Sequence, residues 1–257
     1  MPDPINLTRH LSATIGGSSG AQIFSDSTGQ QYVVKYQENG HHIKVLSNEY
    51  IASEIAKNLE VFTPEPFIVV IDDLLLPSLK PINGQSISKG PHFGSKRIEN
   101  LYEGPATRSL IEKCNNIDKY PAIILLDVLL YNTDRRNDGN YLIVIDGNEF
   151  KFCAIDHGHC LGMNWDADLL KKYVSLWSGE YLEEMYETIT GREDFNDVLS
   201  KIDTLDNAFI TTLVDSIPEA WLSNSVEIQA LKDYLSQKKS TIGNELDTNK
   251  IKFTNWI

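Results

Sequence analysis

The residue types best able to do chemistry gather between Tyr120 and His159. They are Asn132-Thr133-Asp134-Arg135-Arg136-Asn137-Asp138-Gly139-Asn140 and, two apolar runs later, Ile155-Asp156-His157-Gly158. An aspartate that orients a hydroxyl, then an asparagine and a second aspartate that offer hard oxygens to magnesium, is the order of parts in a phosphoryl-transfer site. Asp134 fits the first role, and Asn140 and Asp156 fit the metal role. Arg135 or Arg136 can offset the charge of a γ-phosphate, and Arg136 is paired with Asp134 as catalytic. A rival arrangement is a hydrolase metal centre drawn from Asp134, Asp138, Asp156, His157 and His159, since two histidines two apart on a strand share a face. No third histidine stands near them, which weakens that reading.

Three elements must position these groups. Pro121 can open a helix, and Ala122, Ile123, Leu125, Leu126, Leu129 and Leu130 are apolar around most of its girth, so it should be deeply buried and deliver the loop onto a rigid base. Tyr141 to Ile145 reads as a strand, Asp146-Gly147-Asn148 as a tight hairpin turn and Glu149 to Ile155 as the returning strand, which ends on Asp156.

Upstream, Ala13 to Tyr36 reads as three short strands with turns between them. The first turn, Gly16-Gly17-Ser18-Ser19-Gly20, has a backbone able to approach phosphates closely, with Gly17, Ser18, Ser19 and Gly20 as the candidate contacts. Lys35 ends the third strand on the face it shares with Val33. A helix from Leu46 to Leu59 follows, with Ile51, Ala52, Ile55, Ala56 and Leu59 on one arc. Glu49 lies at the edge of that arc and Glu54 further toward solvent, so Glu49 is the better partner for Lys35. Phe67 to Ile71 reads as a strand, and Asp72 to Leu76 as a hairpin back. The Gly-, Pro- and Lys-rich segment from Pro77 to Pro105 reads as a crossing between two lobes. Beyond Leu161, five helical stretches are expected, at 166–177, 180–190, 194–201, 206–216 and 227–245.

With 257 residues, 41% of them hydrophobic, the chain can bury a sizeable core in one domain or two small lobes. Its net charge of −13 argues against a general nucleic-acid binder, which needs cations to neutralise phosphates. Three cysteines without CxxC spacing suggest neither a disulfide framework nor a zinc site and fit a reducing, cytoplasmic setting. Neither a secretion signal nor a membrane span is expected.

Taken together, Ile15-Gly16-Gly17-Ser18-Ser19-Gly20, Tyr32-Val33-Val34-Lys35, Asn48-Glu49-Tyr50-Ile51-Ala52, Asn132-Thr133-Asp134-Arg135, Asn140-Tyr141-Leu142 and Ile155-Asp156-His157-Gly158-His159 resemble the HipA-like kinase family, over roughly Ile15 to Leu235. The catalytic stretch is also similar to that of type II phosphatidylinositol 4-kinases. The resemblance implies an α+β, two-lobed protein-kinase-like fold, with a small antiparallel sheet and a helix in an N-lobe (1–90) and a mainly helical C-lobe (91–257). It implies ATP and magnesium as cofactors, with Lys35 on the α- and β-phosphates and Glu49 as its partner. It also implies a protein serine or threonine as acceptor. A degenerate nucleotide-binding module and a lipid or small-molecule kinase stay open beside it. Two positions depart from the family: Gly139 stands where the metal-binding asparagine is usual, one residue before Asn140, and Arg136 stands where relatives often carry histidine.

Overall fold

The computed structural model describes residues 3–13, 19–82, 84–104, 107–178 and 182–257. Six strands form the first sheet: β1 (Ile5–Leu7), β2 (Arg9–Ala13), β3 (Gln22–Ser25), β4 (Gln31–Lys35), β5 (Pro66–Ile71) and β6 (His92–Lys96). Their order is β1-β5-β6-β4-β3-β2. β1 runs parallel to β5 while the other neighbours are antiparallel, so the sheet is mixed and not wholly antiparallel as expected. β1 precedes the first strand expected from the sequence, and β2 ends on Ala13, where that strand is expected to begin, while Thr14 and Ile15 lie outside the described residues.

Alternation along β4 decides what each face meets. Tyr32, Val34 and Tyr36 join Leu7, Phe24, Val69, Ile71 and Ile87 in a small core under the 72–91 segment, and Lys35 takes the opposite face with Val33. The hairpin back from β5 expected at Asp72 to Leu76 is not formed. A short 3₁₀ turn at Leu76–Ser78 stands near it, and the strand that pairs with β5 is β6, at His92–Lys96. The sheet thus takes an inner strand from beyond residue 90, and we place the division between the lobes after Lys96.

Helix α1 (Lys44–Asn58) follows β4 and is buried along most of its length, Glu49 included. One amphipathic arc understates this. The sheet covers one side through Ile68 and Phe93, and the second lobe covers another, so α1 belongs to the main core that continues through α3 (Tyr120–Leu129) and the later helices. All ten residues of α3 are buried, Asp127 among them.

After α2 (Arg108–Ile111) and α3 comes the hairpin of β7 (Tyr141–Asp146) and β8 (Glu149–Ala154), paired from Tyr141↔Ala154 to Asp146↔Glu149 with Gly147 at φ +64° in the turn. The crossing segment is stitched to this hairpin: Tyr102 N donates to Ile143 O at 2.9 Å and Ile145 N to Asn100 O at 2.8 Å. The remaining helices are α4 (Ala167–Tyr173), α5 (Glu183–Glu187), α6 (Asn196–Asp203), α7 (Asn207–Asp215) and α8 (Ser225–Asn249). Asp166, Asp206 and Asn224 cap α4, α7 and α8 with side-chain oxygens. Among the described residues, no helix is long and apolar enough to cross a membrane.

Candidate active site

Lys35 and Glu49 meet as the alternation of β4 and the edge of α1 require, and Asp156 joins them. The Lys35 ammonium pairs with Glu49 Oε1 and, at 2.8 Å, with Asp156 Oδ1. Glu49 Oε2 accepts from the backbone N–H of His157 at 3.1 Å, so one carboxylate ties the strand lysine to the loop after β8. Burial lowers the Lys35 pKa, but the two carboxylates outweigh it and the net direction is up, so the amine stays charged. Burial likewise pushes Asp156 up, yet Lys35 and the hydrogen bonds around it hold its carboxyl at about 2. Glu49, wholly enclosed, is raised by burial despite Lys35.

The loop after β8 is pinned to α1. Asn48 Nδ2 donates to the carbonyls of Gly158 (2.9 Å), Cys160 (2.7 Å) and Met163 (3.1 Å), while its Oδ1 accepts from Trp165 Nε1 at 2.9 Å. Gly158 passes so close to α1 that a Cβ there would lie 2.9 Å from Val45 Cγ1. Asp156 itself sits at φ +54°, a left-handed conformation uncommon for a non-glycine residue.

Asp134 is held from the other side. Its N–H donates to Asn132 Oδ1 at 3.1 Å, and Asn132 Nδ2 donates to Asp127 Oδ1 at 2.8 Å, which fixes the loop to the buried helix α3. The additional loop residue is absorbed in a single 3₁₀ turn at Asp138–Asn140, capped by the Asn137 side chain, which accepts from Gly139 N. Asn140 is thereby buried and turned inward, its Nδ2 donating to Asp134 Oδ2 at 2.8 Å. With that nitrogen committed, its amide oxygen is the atom left to face a cation. Asn140 thus stays beside Asp134 despite the additional residue.

The two arginines part company. Arg136 projects outward, 65% exposed, with Glu183 at 3.7 Å. Arg135 turns into the core and is 1% exposed, so it is not free to offset a phosphate. Its Nε and Nη2 donate to the two Asp127 oxygens at 2.9 and 3.1 Å, its Nη1 to the carbonyls of Asn140 and Ile155, and its Nη2 also to His157 Nδ1 at 3.1 Å. His157 must accept at Nδ1, and burial followed by the Arg135 charge pushes its pKa well below the ordinary value. It is a neutral structural histidine, and among the described residues no group of three or more His, Cys, Asp or Glu is arranged to hold a metal. The hydrolase centre is therefore not formed.

Gly17 and Ser18 lie outside the described residues. Ser19 and Gly20 lead into β3, with Gly20 at φ +64°. The three cysteines are buried and free. Asn48 and Asn132 stand in the motifs read from the sequence, but their roles in pinning the loops, and the Asp127–Arg135 pair, were not read from it. The signal for the last was a lone carboxylate in an apolar helix, which has to find a cation.

No curated protein matches the sequence. Among solved structures, a Helicobacter pylori proinflammatory kinase, CtkA, aligns over 97% of this chain and 98% of its own with a TM-score of 0.64 at 16% identity. HipA of Shewanella oneidensis, from a complex with HipB and operator DNA, aligns over 93% of this chain and 66% of its own with a TM-score of 0.49 at 12% identity. The likeness to CtkA extends over both lobes, so the fold is the two-lobed protein-kinase-like one expected from the sequence. The family model of the HipA-like kinases matches residues 10–252, and the chain belongs to the HipA-like kinase family.

Proposed function

We propose that this kinase uses ATP and magnesium to transfer the γ-phosphoryl group to a hydroxyl on a protein serine or threonine. The observation that carries the reading is the approach of two sets of groups, Lys35–Glu49–Asp156 from the sheet side and Asp134–Asn140 from the loop side, joined where Ile155 N, next to Asp156, donates to Asn140 O at 3.0 Å. The residues present fit the metal. Magnesium in such sites takes one or two protein oxygens and completes its shell with phosphates and water. The Asp156 carboxylate, ionised at neutral pH, and the Asn140 amide oxygen supply that pair. When bound, the ion supplies positive charge beside the β- and γ-phosphate oxygens.

The chain's own residues do the rest. Lys35 holds the α- and β-phosphates, kept charged and aimed by Glu49. Asp134, partly exposed and steadied by Asn140 Nδ2, accepts a hydrogen bond from the acceptor hydroxyl and receives its proton as the oxygen attacks. Arg136, exposed beside it, lends charge to the outgoing γ-phosphate. Ser19 and Gly20, which lead into β3, cover the phosphates. The buried free cysteines suit the cytoplasm.

The test is transfer of labelled γ-phosphate to a protein panel and to itself, run beside thermal unfolding with and without Mg-ATP. Stabilisation by nucleotide is expected through mass action. Asp134→Ala should keep the fold and lose about 10²–10⁴ in rate, the scale of a positioned proton-transfer group. Transfer to lipid or small molecules alone would overturn the acceptor, and stabilisation without any transfer would overturn the kinase reading.

A further inference from the structure

We propose that Arg135 is the positioning residue that sets the spacing of the catalytic groups, a role that rests on the kinase reading above. A guanidinium carries five N–H donors in a rigid plane. Here all five are engaged: two on the carboxylate of Asp127, two on the carbonyls of Asn140 and Ile155, and one on His157 Nδ1. Those acceptors belong to three separate pieces of chain. Asp127 is the floor, on the buried helix α3. Asn140 is one proposed metal ligand, and Ile155 and His157 flank the other, Asp156. Arg135 is itself bonded in sequence to Asp134. One planar group therefore indexes the proton acceptor and both metal ligands against a single fixed carboxylate.

The direction of the hydrogen bonds distinguishes this from ordinary core packing. A buried ion pair is weak support for stability, and apolar side chains often replace one without loss. What apolar side chains cannot replace is a donor to the Asn140 carbonyl. That carbonyl also accepts from Ile155 N at 3.0 Å, so the loop before β7 and the loop after β8 share one oxygen. Without the donor, Ile155 and His157 lose their direct tie to Asp127, and they reach α3 only through the chain of bonds from Asn140 to Asp134 and Asn132. Within this cluster, the spacing of Asn140 from Asp156 would then rest on the single bond from Ile155 N to Asn140 O.

The test compares wild type with Arg135→Lys, which keeps the charge opposite Asp127 but offers one nitrogen in place of a fork, too compact to serve Asp127 and two carbonyls together. Calorimetric affinity for ADP is measured without metal and with Mg²⁺, beside kcat and KM for labelled transfer. Metal-free ADP affinity should stay within about twofold, because Lys35 and Glu49 are untouched. The gain in affinity that Mg²⁺ brings should fall about 10- to 100-fold, and kcat by a similar factor with KM for ATP little changed, the usual scale for a group that orients metal ligands. A lower melting temperature with the Mg²⁺ gain and kcat intact would overturn the proposal and leave Arg135 merely structural. Should Arg135→Lys not fold, the double variant Asp127→Asn/Arg135→Met removes both charges and keeps an amide oxygen at residue 127 for Asn132. It should fold and still lose the Mg²⁺ gain, and retention of that gain would overturn the proposal. Wild type that binds no ADP with or without metal would overturn the kinase reading and this role with it, an outcome distinct from a variant that behaves like wild type.

Discussion

The two sides of the cleft hold their polar groups by different physics. On the sheet side, one ammonium, Lys35, is shared between two carboxylates, Glu49 and Asp156, that come from different elements. On the loop side, Asp134 is held by neutral amides, Asn132 and Asn140, with the only ion pair of that cluster, Arg135–Asp127, set behind it in the core. The sheet side thus carries one carboxylate more than it has cations, and a ligand anion that drew Lys35 away would rearrange it. On the loop side the ion pair is balanced in itself, and the carboxylate left over, Asp134, is held by amides rather than by a shared cation. The difference teaches that one half of the site is built to be rearranged and the other to stay in place.

The strongest way to break this comparison is to remove the shared cation. Lys35→Met leaves two neighbouring carboxylates without their counter-ion, and breaking a buried pair in this way typically costs about 3–5 kcal/mol. In the variant, burial and mutual repulsion raise the folded-state pKa values of Glu49 and Asp156 above their unfolded values. Relative to wild type, which carries the same buried histidines, the variant's stability should then rise as pH falls from about 8 to about 5, because these two carboxyls bind more protons in the folded state than in the unfolded one. Urea unfolding across that range checks it. A variant that loses stability on acidification as steeply as wild type would show that the carboxylates do not depend on Lys35.

A second test sharpens the comparison with a group that belongs to the sheet but not to the ion cluster. His92 on β6 is buried, accepts from Gln37 N at Nδ1 (3.2 Å) and donates from Nε2 to Ser88 O (2.9 Å). Burial lowers its pKa below the ordinary 6.5, against the opposing pull of the Ser88 carbonyl and Glu38. The folded state keeps it neutral while the unfolded state takes up a proton, so stability is lost as pH falls below 6.5. One such histidine contributes at most about 1.4 kcal/mol per pH unit. Asp156 adds nothing in that window, since its contribution is lost only as pH falls through its folded pKa of about 2. His92→Gln should flatten the slope of urea stability between about pH 6.5 and about pH 5 by up to that amount, with little change at pH 7.5 beyond the mutation's own cost. An unchanged slope would mean that His92 is already charged in the fold.

How far the site was legible in the sequence follows the same division. Lys35 and Glu49 could be paired because strand alternation and helix periodicity are local rules, and each residue sat where its rule placed it. The Asp134 loop stood out because polar residues crowd the end of an apolar helix. What escaped was non-local. β1 finds β5 across more than fifty residues, and its three residues carry no pattern of their own. β6 returns to the sheet after a long covered loop, so a lobe boundary drawn at residue 90 cut the sheet it belongs to. Arg135 and Arg136 are chemically identical neighbours, and only the burial of Asp127 eight residues earlier says which of them turns inward.

That neighbouring pair supplies the smallest expected effect. Arg136 and Glu183 stand 3.7 Å apart with both side chains about two-thirds exposed, so water and salt screen their attraction. Arg136→Ala should leave the melting temperature within about 2 °C of wild type, as surface substitutions do in a chain of this size. Its effect on phosphoryl transfer should also be modest, about two- to fivefold at low salt, and should shrink toward nothing near 0.5 M salt, where the screening length is only about 4 Å. An exposed guanidinium beside Asp134 lends charge to a phosphate in water, whereas a clamp in a dry pocket would be worth a hundredfold or more and would resist salt. Transfer rates measured across a salt series therefore separate the two. A large, salt-independent loss would mean that Arg136 closes onto the phosphate when nucleotide binds, and the loop side of the cleft would then be as mobile as the sheet side.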